Sequence, residues 1–245
     1  MTSAQTIATN QSPQTQNVPP IVDTTAPLGV PSDAIILFAG LDLREWIGEN
    51  SAAPSWIVAD GILTVKCGSG GIVTKRNFGD CQLHIEWRTP AKVEGDGQAR
   101  GNSGIFFQRR YEVQILDSFE NPTYPDGQAG AVYKQQPPLV NASRPPGHWQ
   151  TFDIVFRAPR FDAKGQLLHP PVITVFQNGV LVQDHAPIQG ITDDPQGPRY
   201  VAHPLKQPLL LQDHGSAVSF RNIWLRELAK SDAVGVNAKI AASAG

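Results

Sequence analysis

The chain has 245 residues, a length that fits one domain of sandwich size or two small ones. A net charge of -2 with no basic block excludes the clustered positive face of a nucleic-acid binder, and no apolar run reaches the length of a membrane helix. Gly and Pro are plentiful, at 22 and 21 residues, beside a hydrophobic share of 40%, which suits many short strands joined by tight turns around an adequate core.

Residues 1–31 are rich in Thr, Gln, Ser, Asn and Pro and lack the charged and apolar regions of a signal peptide. Too polar to bury a core, they read as a disordered tail or spacer, of the kind that follows a cleaved leader. The protein is therefore expected in the periplasm or outside the cell if a leader has been removed, and in the cytoplasm otherwise. A folded domain is expected over 32–228. Strands are predicted at 35–38, then at 56–58 and 62–66 around the turn pair Asp60-Gly61, with Trp46 and Trp56 as aromatics at the rim of the core. Further strands fall at 72–74 and 81–88. In the latter Cys81, Leu83, Ile85 and Trp87 share a face, which makes Cys81 a core residue; a Cys67–Cys81 disulfide would need those strands to pair in register. Residues 91–101 are polar and Gly-rich, a loop.

The next stretch, GNSGIFFQRRYEVQILDSFENPTYPDGQAGAVYKQQ over 101–136, is the most informative. Two strands, 104–107 and 111–116, are predicted. In the second, Tyr111, Val113 and Ile115 point one way and Glu112 and Gln114 the other, because strand side chains repeat every two residues. A carboxylate beside a carboxamide on one sheet face makes a polar site. Asn121, Tyr124, Asp126 and Gln128 follow in a loop, all of types that hydrogen-bond or stack on sugars. Gly101 and Gly104 flank Asn102 and Ser103; a tight bend is their simpler use, a close ligand approach the other.

Strand 149–156 sets Phe152, Ile154 and Phe156 on one side, and strands 172–176 and 180–184 flank the hairpin signal Asn178-Gly179. Arg199, His203 and Lys206 lie in a loop placed to cover a groove. The segment LLLQDHG over 209–215 puts Leu210, Gln212 and His214 on one parity. His214, at the end of strand 209–213, is the best acid–base candidate, since histidine titrates near neutrality; an Asp-His pair that only caps a turn is the plain alternative. Strand 218–228 closes the domain, and 229–245 is expected to be a flexible tail. So many short strands with almost no helical period indicate an all-β, two-sheet antiparallel sandwich.

Several ordered segments, among them LFAGLDLREW, GIVTKRNFGDCQLHIEWR, GNSGIFFQRRYEVQILDS, PPLVNASRPPGHWQTFDIVFRAPRF and LLLQDHG with FRNIWLREL after it, make the chain resemble the 3-keto-disaccharide hydrolase domain family over about 36 to 228. The resemblance implies a concanavalin-like jelly roll and a carbohydrate substrate. Two departures are Arg109 and Lys134, where many relatives carry Gly. The implied chemistry is elimination from a 3-keto-glycoside followed by hydration. His214 is cast as base, Glu112 as the partner acid or as the group orienting His214, and Gln114 and Gln212 as hydroxyl binders. Arg110, or a divalent cation held partly by Glu112, would stabilise the enolate. Asn102, Tyr124 and Lys134 would form rim or wall. The alternatives are a conventional glycoside hydrolase using Glu112 with Asp117 or Asp126, and a non-catalytic carbohydrate-binding module.

Overall fold

The computed structural model describes residues 19–26 and 29–228, and the chain divides into two compact units after Asp33. The tails expected at either end lie outside the described residues over 1–18 and 229–245. In the smaller unit, the Asp23 side chain accepts from the Thr25 N–H, and Asp23 and Ser32 bond to one another.

The larger unit is built from strands, taken in chain order. The first five are β1 (Ile35–Phe38), β2 (Trp46–Gly48), β3 (Ile57–Ala59), β4 (Ile62–Thr64) and β5 (Ile72–Thr74). Then come β6 (Cys81–Arg88), β7 (Ser103–Phe107), β8 (Tyr111–Ile115), β9 (Gln150–Arg157) and β10 (Arg160–Phe161). The last are β11 (Leu167–His169), β12 (Val172–Gln177), β13 (Val180–Pro187), β14 (Leu210–Leu211) and β15 (Ser219–Glu227). One antiparallel sheet runs β13-β12-β9-β6-β15-β4-β3, with β1 also on β15; the other runs β2-β5-β14-β7-β8, and β10 and β11 form a ribbon apart. This is the all-β, two-sheet jelly-roll sandwich of concanavalin-like type that the sequence implies.

Period-two patterning decides which faces meet. On β6 the burial alternates strictly, and register pairs Cys81 with Phe156, Leu83 with Ile154 and Ile85 with Phe152. From the opposite sheet Tyr111, Val113 and Ile115 point inward, each fully buried. The two layers interlock through rings: Phe107 stacks on Phe156 at 4.7 Å, and Tyr111 lies 5.9 Å from the same ring. Each such buried side chain contributes about 1.5–3 kcal/mol of transfer free energy.

Two two-residue turns carry positive φ at both positions, Asp60-Gly61 (51° and 75°) and Asn178-Gly179 (52° and 81°), and the three-residue connection Gln108–Arg110 carries it at Gln108 and Arg109 (55° and 57°). The first two have the glycine that such hairpin turns favour. The third does not, and it joins the two strands that carry the site.

Some expectations needed correction. Strand 209–213 shortens to Leu210–Leu211 because Asp213 turns the chain, its carboxylate accepting from the Gly70 and Gly215 N–H groups. Strand 180–184 continues to Pro187 past an irregularity in its pairing, where His185 has φ 45°. Neither β2 nor the β10–β11 ribbon was legible in the sequence. Cys67 and Cys81 are not bonded to each other; Cys67 is exposed and Cys81 is buried in the core.

Candidate active site

The site lies on the outer face of the five-stranded sheet. There β7 runs between β14 and β8, with Gly104 opposite Gln114 and Phe106 opposite Glu112 on one side, and Phe106 opposite Leu210 on the other. Strand spacing sets the backbones of β14 and β8 about 10 Å apart. Gly104 forms the floor between them. A Cβ at position 104 would sit 2.3 Å from Glu112 Oε1 and 2.8 Å from the Phe106 ring, so the missing side chain is what lets the Glu112 carboxyl lie across β7. Gly101, by contrast, serves a bend, with φ 55°.

Glu112 and Gln114 point away from the core and are nonetheless buried, at 4% and 1% exposure. Chain 130–133 covers the free edge of β8. Gly130 N–H donates to the Gln114 carbonyl, Gln114 N–H to Ala131, and Tyr133 N–H to the Glu112 carbonyl. Thr192 closes the remaining position, its Oγ1 accepting from the Glu112 N–H. What remains open is a cavity of about 240 Å³ lined by Asn102, Glu112, Gln114, Tyr133, Asp193 and His214, with Phe106, Thr192 and Gln212 completing it.

Gln98 sets the chemistry of its wall. The Gln98 side-chain amide donates to Thr123 Oγ1 and to the Gly127 carbonyl, so its Oε1 is left to accept from Gln114 Nε2 at 2.9 Å. The Gln98 main-chain carbonyl accepts from Asn102 Nδ2 at 2.7 Å. Each of the two amides thus donates one N–H to Gln98. Asn102 Oδ1 and Gln114 Oε1 are buried with no partner among the described residues, and Gln212 Oε1 is in the same state. All three residues line the cavity, and an unmet buried acceptor costs about 1–3 kcal/mol, so a small turn of these side chains toward a donor-rich ligand would be favourable.

Burial pushes the Glu112 carboxyl up to about 8 from its ordinary value of 4.5; the negative charge of Asp193 adds to the rise and the Lys134 ammonium opposes it. Glu112 is therefore an acid that keeps its proton near neutral pH. Asp193 is tied to Lys134 Nζ at 2.6 Å. Tyr133 shares a 2.6 Å hydrogen bond with Tyr124, and desolvation raises its phenol, so it stays a neutral donor.

The family model described as the 3-keto-alpha-glucoside-1,2-lyase-like domain covers residues 33–226. The chain belongs to that family. A crystal structure of a candidate glycosyl hydrolase from Parabacteroides distasonis is 46% identical, with 89% of this chain and 95% of that one covered at a TM-score of 0.84. Two further candidate glycosyl hydrolases of that organism, 20% and 23% identical over 80% of this chain and 94% and 99% of theirs, both at a TM-score of 0.57, share the fold. No curated protein matches the chain.

The sequence-derived residues divide within this family member as follows. Asn102, Glu112, Gln114, Gln212 and His214 line the one cavity. Arg110, Tyr124 and Lys134 do not. Arg110 donates to the Gln108 carbonyl, and its charge acts on Tyr111 and His203 instead. Tyr124 reaches the cavity only through Tyr133, and Lys134 only through Asp193. His214 is exposed at the rim and makes no side-chain hydrogen bond among the described residues, so Glu112 does not orient it. Arg199, His203 and Lys206 are engaged with Asp194, Tyr111 and Glu227, away from the cavity. Asp117 pairs with Arg100 elsewhere, and Asn121 and Gln128 hold the loop together.

Sequence reasoning missed Gln98, Tyr133, Thr192 and Asp193. Only Asp193 had a signal, an Asp-Asp pair in the loop after β13. Among the described residues no cluster of three or more His, Cys, Asp and Glu is arranged to hold a metal. Among the described residues no helix is long and apolar enough to cross a membrane.

Proposed function

We propose that the protein cleaves 3-keto-glycosides by elimination followed by hydration. The observation that carries this reading is a buried carboxyl, held protonated, that lines a cavity of about 240 Å³ together with three amide side chains whose buried oxygens have no partner among the described residues. A keto group at carbon three acidifies the hydrogen on carbon two. His214 takes that proton; the electron pair forms the carbon one–carbon two double bond through the enolate, and the carbon one–oxygen bond breaks. The departing oxygen receives the proton from His214. Water then adds across the double bond, hydroxyl to carbon one and hydrogen to carbon two, so the net reaction is hydrolysis.

Arg110 does not reach the cavity, and the enolate needs another partner. Neutral Glu112 is the donor in place, aimed at the ketone oxygen as negative charge develops there. A neutral carboxylic acid serves the oxyanion best, because a carboxylate would repel it. Asn102, Gln114 and Gln212 accept from the ring hydroxyls.

Asp193 favours one rival. With Glu112 it forms a carboxyl pair on a single cavity, the equipment of a conventional glycosidase. The two readings part at carbon two. Turnover of a 3-keto-glucoside in deuterated water should place deuterium at carbon two of the product, and His214→Ala should lower kcat by about a hundredfold or more. Cleavage with the original hydrogen fully retained would refute elimination and favour displacement by the carboxyl pair. Tight glycan binding with no turnover of any keto or ordinary glycoside would leave a binding module.

A further inference from the structure

The chain that covers the edge of β8 brings a phenol to the cavity as well as shelter. Val132 bridges Val113 in antiparallel register, and both valines are buried in the core. Their neighbours therefore point outward, and Tyr133 stands directly across from Glu112 on the cavity face. Tyr133 N–H donates to the Glu112 carbonyl at 3.2 Å, which holds the two backbones together there. Opposite residues on one face of an antiparallel pair have Cβ atoms about 4.5–5.5 Å apart, so the phenol and the carboxyl leave the sheet side by side. Both line the cavity.

The Tyr133 ring is held by the tilted Tyr124 ring, 6.3 Å away between centroids, and by Lys134 Nζ, 5.4 Å from its centroid. Its hydroxyl shares a single 2.6 Å hydrogen bond with the Tyr124 hydroxyl. Only one of the two phenol protons lies between those oxygens, so one is left over. Tyr124 is 39% exposed, and its oxygen can accept from water. When Tyr124 donates, Tyr133 keeps its own proton for the cavity. Negative charge arising in the cavity selects that order, because a donor that also accepts a hydrogen bond is the more polarised one. The other hydroxyl on the cavity is already spent. Thr192 Oγ1 donates to the Arg110 carbonyl at 2.9 Å and accepts from the Glu112 N–H at 3.1 Å. Glu112 brings one O–H, and an enolate oxygen has room for more than one donor.

We propose that Tyr133 is a second catalytic donor to the enolate, forming with Glu112 a two-donor site for the ketone oxygen, and that Tyr124 is the positioning residue that turns the Tyr133 proton toward it. The inference rests on the function proposed above. No proton changes hands at Tyr133. The carbon-two proton goes to His214, the electron pair moves charge onto the ketone oxygen, and the phenol and the carboxylic acid hold that oxygen by hydrogen bonds until the carbon one–oxygen bond breaks. Desolvation first, and the bond with Tyr124 second, raise the phenol above its ordinary range, so it donates without ionising.

Tyr133→Phe keeps the ring and removes the donor. With methyl 3-keto-glucoside, kcat should fall about a hundredfold while KM stays within about twofold, since the ground-state ketone is a much weaker acceptor than the enolate. Its urea midpoint should match the wild type's, so that the loss belongs to folded protein. Tyr124→Phe leaves Tyr133 able to donate and should lower kcat only several-fold, again at constant KM. Tyr133→3-fluorotyrosine keeps the shape and strengthens the donor, so kcat should equal or exceed the wild type's. The enolate step is read alone in 1,5-anhydro-3-keto-glucitol, which has no glycosidic oxygen to lose. Its carbon-two hydrogen should exchange with solvent deuterium by NMR, and Tyr133→Phe should slow that exchange by the same factor as kcat. Unchanged kcat in Tyr133→Phe, a rise in KM in place of a fall in kcat, or a fall in kcat with undiminished exchange overturns the second donor. A wild-type protein that neither cleaves the keto-glycoside nor exchanges the analogue overturns the proposed reaction itself, and the donor role with it.

Discussion

Glu112→Gln should separate the stability of the sandwich from its chemistry. The Glu112 carboxyl is 4% exposed and raised to about 8 from 4.5, chiefly by burial. In the unfolded chain it ionises near its ordinary value. Between pH 4.5 and about 8, then, the folded state holds a proton that the unfolded state has released, and stability must fall as pH rises. Above about pH 8 both states are ionised and the loss levels off. At 1.36 kcal/mol per pH unit over that window, the loss is about 5 kcal/mol. Glutamine has nearly the same shape, fits beside Gly104, and cannot ionise. The variant should match the wild type in urea denaturation at about pH 4 and exceed it by about 5 kcal/mol at about pH 9. For a domain of this size that is a rise of about 10–20 °C in Tm at the alkaline end. Turnover should move the other way, with kcat down about a hundredfold below about pH 8, where wild-type Glu112 keeps its proton, because an amide is a far weaker donor to an enolate. In the wild type, kcat/KM should also fall above about pH 8 as Glu112 ionises. Parallel stability–pH curves for the two proteins would refute the assignment of a protonated, buried Glu112.

Three further substitutions probe the supports of the site. Gly104→Ala drives a methyl into Glu112 Oε1, 2.3 Å away; it should cost about 1–3 kcal/mol in stability and more than tenfold in kcat, and wild-type kinetics would show that the carboxyl need not lie across β7. Gln98→Ala frees Gln114 to rotate by removing its acceptor at 2.9 Å; KM should rise several-fold, by an amount equivalent to about 1 kcal/mol, with kcat nearly unchanged, and a kcat loss at constant KM would contradict a purely positioning role. Arg109→Gly relieves a side chain held at φ 57° and gives up an exposed ion pair with Glu49 at 3.5 Å. Relief of about 1–2 kcal/mol outweighs a surface pair worth about 0–1, so Tm should rise by about 2–4 °C with activity intact, and an unchanged or lower Tm would count against turn strain.

How much of this could be read from the sequence depends on how local the cause is. The alternation of Tyr111, Val113 and Ile115 against Glu112 and Gln114 is a local pattern, and it correctly sets the inner and outer faces of β8. The same parity in LLLQDHG places Gln212 and His214 on the outer side, although the strand itself ends at Leu211. Asn178-Gly179 and Asp60-Gly61 announce their turns through the one residue type that tolerates their geometry. What parity cannot supply is the fate of a group once loops fold over it. Nothing near Glu112 in the chain tells that 130–133 and Thr192 will bury an outward-facing acid. Arg110 misled for a related reason: it is the last residue of a turn, where alternation breaks, and its guanidinium goes to the Gln108 carbonyl. Gln98 was invisible because its importance lies in bonds to residues 16 to 29 positions away in a loop without period.

The burial that makes Glu112 useful is also what makes it costly, and the two cannot be separated within this fold. An acid able to donate to an enolate at neutral pH must be kept from water, and on a sandwich's outer face only added chain can do that. The cover comes from two loops distant in sequence, and each supplies one opposing charge: Asp193, next to Thr192, raises Glu112, and Lys134, next to Tyr133, lowers it. Because Lys134 and Asp193 are bonded to each other, their fields at Glu112 partly cancel, and desolvation is left in control. Without the Lys134 ammonium Asp193 would act on Glu112 unopposed, and its carboxyl should titrate higher still. Lys134→Gly in this chain reproduces that state, and the alkaline fall of kcat/KM should move to higher pH. A limb that moves to lower pH, or stays where it is, would show that the cation near the cavity does not tune the acid.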